Sequence, residues 1–237
     1  MKLFLHYFHP LMRIMRERQQ FLNHENVPDF INVNLLETVP TLTDTADSFD
    51  YLALDFETTG LDVNNDLILS IGWVEINHSY IDLASCKHHY INSKSQIKPM
   101  TAVINHITPQ MLDEGESIHD AIKALFNASK GKILVAHGCI VEAQFLQKYM
   151  QRNFQLTALP LLWIDTLSIE KNMAMSVNNP DIDLTLASTR ERYNLPEYNS
   201  HNALADAVST AELFLAQQKK LQPNHKMRFG QLYKMSQ

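Results

Sequence analysis

From Tyr51 onward, the order of sequence patterns restricts the fold more than any other feature of this chain. YLALDFE at 51–57 is a short apolar strand closed by a TTG turn, and LILSIGWVEI at 67–76 is a near-continuous run rich in Ile, Leu and Val. SYIDLASCKHHYIN at 79–92 reads as a third strand after a tight turn. Three successive strands with short connections predict an antiparallel meander, because parallel neighbours need a long crossover. The pattern then changes. IKPMTAVINHI at 97–107 is read as a loop and short helix, and SIHDAIKALFNAS at 117–129 as a helix ending near Gly131. KILVAH at 132–137 and LLWIDT at 161–166 are buried strands, and helices are expected from about Leu167, at 184–193 and at 203–221. Strands first and βα units after predict an α/β fold, with a mixed sheet flanked by helices. In the last long helix Leu204, Val208, Ala211 and Leu215 recur at helical spacing and form the expected core stripe.

Residues 1–47 differ from the rest and are expected to be a helical extension and linker: a helix around Leu11 to Leu22, then the turn-rich ETVPTLTDTADSFD. Phe4, Leu5, Phe8, Met12 and Met15 are expected to pack on the main domain, and the extension is also where a second copy of the chain or a protein partner would dock. The main domain is expected at 48–221 and a C-terminal tail at 222–237. His6, His9 and Pro10 interrupt the first apolar run and no small-residue cleavage site follows, which argues against a signal peptide. No apolar run approaches the roughly 20 residues needed to span a bilayer. The two cysteines, Cys86 and Cys139, are far apart and can form neither a multi-bridge framework nor a four-thiolate zinc site. A soluble, cytoplasmic protein is expected. The net charge of −6 argues against a broad basic surface that grips duplex DNA. It leaves room for a short single-stranded end whose phosphates meet bound divalent cations.

Candidate chemistry begins at YLALDFETTG, 51–60. Asp55 and Glu57 are two apart at the end of a strand, so both side chains project to one face. Two acids that close repel, and a cation between them removes the penalty. An all-oxygen donor set suits a hard ion such as Mg²⁺ or Mn²⁺. Asp-x-Glu alone is weak evidence, because strand ends often carry solvated acids. Near the C-terminus, HNALADA at 201–207 places His201 at the start of the last long helix and Asp206 about one turn inside. Taken alone, that segment reads as a capping histidine and a surface aspartate. Together, Asp55, Glu57 and Asp206 could bind a pair of hard cations that clamp a phosphodiester and orient water. His201 would be the general base, its ordinary pKa of about 6.5 suiting deprotonation of metal-bound water.

This arrangement resembles the DEDD 3′-5′ exonucleases, which have the ribonuclease H-like fold. DFETTGL at 55–61 looks like their first motif, and HNALADA like the third motif of the subgroup whose base is a histidine five residues before the last aspartate. The tyrosine subgroup would need Tyr at 202, where Asn202 stands. INHIT at 104–108, IDTL at 164–167 and LTLASTRERYNLP at 184–196 match in order, so the resemblance covers about residues 50–217. It implies that Asp55 bridges two metals, that Glu57 and Asp206 complete the first metal site, and that His201 activates the water. The family's second motif usually reads His-Asn-x-x-Phe-Asp, and this chain has HGCIVE: Gly138 replaces Asn, Val141 replaces Phe, and Glu142 stands where the aspartate is expected. Glutamate reaches about 1.5 Å further, so Glu142 is expected to support the second metal directly or through water.

Other candidates read as structural. His88 and His89 are adjacent on a strand and point to opposite faces, which argues against a shared metal. His106 and His137 are expected to order loops, and Asp165 to support the local turn or the residues around the metal ligands. The resemblance implies a nuclease of the replication and repair type, with single-stranded DNA or RNA 3′ ends as partners and nucleoside 5′-monophosphates as products. A polymerase proofreading subunit would carry a long C-terminal segment after the last helix, so a stand-alone or differently tethered nuclease is expected. The alternative is a non-catalytic nucleic-acid or nucleotide-binding module, in which Glu142 is a surface residue. Retention of His201 beside three acids argues against it, because a pure binder has no need of a base.

Overall fold

The computed structural model describes residues 7–23, 27–31, 37–92, 107–179, 181–222 and 226–237. The expected meander is present: β1 (Tyr51–Thr58), β2 (Ile68–Asn77) and β3 (Tyr80–Tyr90) pair antiparallel in sequence order. His78 and Ser79 join β2 to β3 with φ of 50° and 70°, the two-residue turn whose twist matches that of the flanking strands. Two parallel strands, β4 (Ile133–Ala136) and β5 (Trp163–Asp165), extend the sheet on the other side of β1, giving the order β3-β2-β1-β4-β5.

Helices cover both faces. Among the described residues they include α1 (Pro10–Phe21), α2 (Pro109–Asp113), α3 (Ile118–Ala128), α4 (Ile140–Phe154), α5 (Thr166–Ser176), α6 (Leu186–Arg192), α7 (Ala203–Leu221) and α8 (Phe229–Met235). Side-chain oxygens accept from the first turns where the sequence offers them: Ser117 from Asp120, Thr185 from Ser188 and Asn202 from Ala205. β1 is buried on both faces, which is why its sequence is nearly all apolar. Leu52, Leu54 and Phe56 pack against Ile122 and Phe126 of α3 and Phe145 and Leu146 of α4. Tyr51 and Ala53 turn the other way, toward Ala211 and Phe214 of α7 and Phe229 of α8. Asp55 and Glu57 continue that second row, so period-two alternation aims them at the α7 layer.

The core stripe of α7 is a correction. Its buried residues are Ala203, Asp206, Ala207, Ser209, Thr210, Ala211, Leu213, Phe214 and Gln217, whereas Leu204, Val208 and Leu215 are only partly buried. The first turn lies directly on β2: a Cβ on Gly72 would stand 2.3 Å from the Ala203 carbonyl carbon. At that separation only small side chains fit between helix and sheet, so alanines rather than leucines turn inward.

The termini pack on the same layer. Leu11 of α1 is fully buried there and Met15 packs beside it, whereas Phe21, nearly as buried, joins the cluster around α3 and α4. Phe8, by contrast, is 70% exposed, and Phe4 and Leu5 lie outside the described residues. Where a tail was expected at 222–237, residues 229–235 form α8, with Phe229 and Leu232 fully buried. Its apolar side chains cover the sheet face that α7 leaves open. Most of the loop expected at 97–107, including His106, lies outside the described residues. No helix among them is long and apolar enough to cross a membrane.

Candidate active site

Asp55 and Glu57 occupy the end of β1, opposite Gly72 and Ser70 of β2. Because Gly72 has no side chain, the first turn of α7 rests on β2 at this level and carries Asp206 down to them. One carboxylate oxygen from each of Asp55, Glu57 and Asp206 lies within 4.8 Å of the other two. Asp206 is buried and its Oδ2 accepts from the Asn202 N–H at 2.9 Å, while Asn202 caps the helix. The surface-aspartate reading of HNALADA therefore fails for Asp206, and the capping residue is Asn202.

Glu142 approaches from the other side of β1. β4 pairs with β1 only at Tyr51 to Ala53, so the end of β1 is open toward the turn that leaves β4. That turn is His137-Gly138-Cys139. Gly138 has φ of +81°, a conformation glycine adopts without penalty, and its N–H donates to Asp165 Oδ1 at 2.8 Å. Asp165 also accepts from Leu167 N and Ser168 Oγ, capping α5. The Nε2 of His137 lies 2.8 Å from the Leu184 carbonyl and so carries a proton, and its Nδ1 lies 2.9 Å from the Thr166 hydroxyl oxygen. Asp165 and His137 thus order loops, as expected. The turn starts α4 so that Glu142, in its first turn, is buried at 4% exposure beside Phe56, whose N–H faces the carboxylate.

The electrostatics follow from four acids that act on one another at the end of β1. Removal from water pushes Asp55 well above the usual carboxylate range, and the charges of Glu142, Asp206 and Glu57 push it further. Glu57 is raised to about 7 by burial and by Asp206. Glu142 is raised to about 8, chiefly by burial. Burial also raises Asp206, against the opposing pull of the Asn202 N–H, the Tyr198 hydroxyl and the charge of His201. Glu142 Oε2 is buried with no hydrogen-bond partner. A donor set of oxygens alone, repelling one another and with one oxygen orphaned, fits hard divalent cations.

His201 stands at the turn before α7 with φ of +63° and an exposed side chain. It lies close enough to Asp206 to favour the ionised carboxylate, but it is outside the three-acid cluster. The cleft itself, about 400 Å³, is lined by residues 55–61 together with His137, Gly138, Val141 and Glu142. Tyr198, whose ring lies over the Arg190 guanidinium, was not singled out from the sequence, since nothing in PEYNS marks a tyrosine that folds back on a helix. His88 and His89 do point to opposite faces, His89 stacking on Trp73 and His88 lying against Tyr90.

Comparison with known proteins agrees with this geometry. The exonuclease family model RNase_T matches residues 52–214. The chain is 31% identical over 165 residues to DNA polymerase III PolC-type of Thermotoga petrophila, covering 70% of this chain and 12% of that protein. It is 26% identical over 186 residues to the 3′-5′ exonuclease DinG of Staphylococcus haemolyticus, covering 78% of this chain and 20% of that protein. It therefore spans only a small fraction of the length of these relatives. Among solved structures, the nuclease domain of 3′hExo, a DEDDh family member bound to rAMP, superposes with a TM-score of 0.60 at 18% identity, covering 80% of this chain and 100% of that one. Escherichia coli exonuclease I in complex with a dT13 oligonucleotide superposes with a TM-score of 0.59 at 16% identity, covering 74% of this chain and 42% of that one. These superpositions identify the fold as ribonuclease H-like.

Proposed function

The chain belongs to the exonuclease family, and on that premise we propose that it is of the DEDDh type and removes nucleotides from the 3′ ends of single-stranded DNA or RNA as nucleoside 5′-monophosphates. The observation that carries this reading is the convergence of Asp55, Glu57 and Asp206 within 4.8 Å at a strand end. Asp55, Glu57, Asp206 and Glu142 would hold two Mg²⁺ or Mn²⁺ ions, with Glu142 standing in for the aspartate of the second motif. When bound, the ions supply positive charge against the phosphate and lower the pKa of water.

The residues of the chain do the rest. Asp55 clusters with Glu57 and Asp206 and also feels the charge of Glu142, which suits a carboxylate shared by two sites. His201, exposed on the turn before α7, takes the proton from the attacking water. The new bond joins that oxygen to phosphorus, the bond to the 3′-oxygen of the preceding nucleotide breaks, and that oxygen leaves with a proton from solvent. An exposed histidine is suited to pass its proton to bulk water before the next cycle.

The test uses 5′-labelled single-stranded DNA and RNA oligonucleotides with Mg²⁺ or Mn²⁺, wild type beside Asp55→Ala. A ladder shortening from the 3′ end is expected from the wild type alone. Equal inertness of both proteins on both substrates refutes the proposal, and retention of the oligonucleotide without cleavage would favour a binding module.

A further inference from the structure

We infer that the groove between the β1–β2 loop and α4 holds the single strand on the 5′ side of the bond to be cut, with Lys148 and Arg152 meeting its phosphates. The inference rests on the reading of the acidic cluster as the site of 3′-end cleavage.

The cleft at the acids has two walls, residues 58–61 of the loop after β1 and Val141 and Glu142 of α4. Both walls run on past it. A second cavity, of about 270 Å³, is lined by Val63 and Ile68 on the loop side and by Phe145, Lys148, Tyr149 and Arg152 on the helix side. Val141, Phe145, Lys148 and Arg152 recur at helical spacing and so share one face of α4. At 1.5 Å per residue, Lys148 stands about 9 Å and Arg152 about 15 Å along the helix from Glu142. One strand advances about 3.4 Å per stacked nucleotide, so these two cations lie level with the third to fifth nucleotides, roughly, counted from the acids.

The loop wall is held from within. The Thr59 hydroxyl donates to Asp66 Oδ1 at 2.8 Å and accepts from Leu67 N at 3.0 Å, and Asp62 N donates to Asp66 Oδ2 at 2.9 Å. Asp66, the acid that lines this cavity among the described residues, is thus turned onto loop donors at both oxygens. Asp62, exposed on the loop, feels the Lys148 charge but takes Asn64 N and Asn65 Nδ2 on its own oxygens.

The helix wall supplies the positive charge. Arg152 Nη2 donates to the Asn64 carbonyl at 2.8 Å, tying α4 to the loop across the groove, and the remaining N–H donors of a guanidinium stay available to a phosphate. The Lys148 ammonium reaches the Gln151 amide oxygen on its own helix at 3.4 Å. Neither cation makes an ion pair among the described residues. The floor is apolar, built of Ile68, Phe145 and Tyr149, and the Tyr149 hydroxyl is fixed 2.6 Å from His119 Nδ1. Unpaired cations beside an apolar floor complement a single strand, which offers phosphates along one edge and base faces along the other. In a chain of net charge −6, two such cations on one face beside the acids favour a polyanion that continues from the cleft.

Lys148→Gln and the double variant Lys148→Gln/Arg152→Gln test this in the full chain with Mn²⁺. The substrates are a single strand of about 12 nucleotides, long enough to pass both cations, and a dinucleotide whose one phosphate is the one cut. The double variant should raise KM for the longer strand by about 10-fold with kcat within about twofold, and leave kcat/KM on the dinucleotide within about twofold. For the longer strand, the slope of log kcat/KM against log salt should become shallower by about 1.4, from two lost phosphate contacts at ~0.7 each. Lys148→Gln alone should give about half of that change in slope, which separates a phosphate contact from a loop released by the loss of Arg152. Unchanged KM and salt slope on the longer strand overturn the inference, as does an equal loss on both substrates, the mark of a disturbed loop. If the wild type cleaves neither substrate, the exonuclease reading fails, and fluorescence anisotropy with a dye-bearing strand still decides this one. Weaker binding by the double variant then supports the groove, whereas equal binding, or none by either protein, overturns it.

Discussion

Gly72→Ala should disable the site from outside it. The added Cβ would lie 2.3 Å from the Ala203 carbonyl carbon, 2.3 Å from the Leu204 nitrogen and 2.4 Å from the Ala203 oxygen. Carbon atoms pack without repulsion at about 3.5 Å, so backbone must retreat by roughly 1 Å, and no flexible side chain is present to absorb the shift. β2 is hydrogen-bonded on both sides, to β1 and to β3, so the first turn of α7 is the part that yields. That turn holds Asp206 against Asp55 and Glu57. Overpacking of this kind costs about 1–3 kcal/mol. A displacement of about 1 Å in a catalytic group can cost on the order of 100-fold in rate. The assay pairs turnover of a 5′-labelled single-stranded oligonucleotide at saturating Mn²⁺ with urea unfolding of the same protein. The expected result is a folded protein, modestly destabilised, with turnover reduced by about 100-fold. Turnover near wild type would refute the argument that Gly72 sets the position of Asp206.

Glu142→Gln keeps the shape and removes the charge, so Mg²⁺-dependent turnover should drop by at least about 10-fold; near-normal turnover would return Glu142 to the role of covering the open end of β1. Glu57 at about 7 and Glu142 at about 8 keep protons in the cation-free fold that the unfolded chain releases near pH 4.3. The folded state then binds more protons than the unfolded one, so stability should fall as pH rises from about 4.5 to about 8, and saturating Mn²⁺ should flatten the slope. Urea melts across that range check this, and stability rising with pH there without cation would contradict it. Asp165→Ala removes acceptors from Gly138 N, Leu167 N and Ser168 Oγ and should cost about 1–3 kcal/mol by chemical denaturation. Unchanged stability would show that the turn before Glu142 is held by other contacts.

Much of the fold was legible because it depends on local pattern. The strand runs and the tight turn at His78-Ser79 announce the meander, and alternation along β1 places Asp55 and Glu57 on one face whatever the rest of the chain does. The α7 stripe was misread because hydrophobicity was taken as the guide to burial. In a helix pressed against a glycine, side-chain size decides, and Ala203 and Ala207 displace Leu204 from the buried face. The terminal segment at 229–235 gave no strong periodic signal over so short a length, and only the uncovered sheet face explains its burial.

The sequence by itself determined the order of the elements, the shared direction of Asp55 and Glu57, and the frame in which His201, Asp206 and Glu142 stand. These follow from the two-residue and 3.6-residue repeats, which are properties of neighbouring residues. Tertiary structure alone decided that Asp206 reaches Asp55, through the missing side chain at Gly72, and that Glu142 is buried, through the early end of β4 and the turn held by Asp165. Both depend on how closely separate elements approach, and that distance is set by packing between residues far apart in the chain.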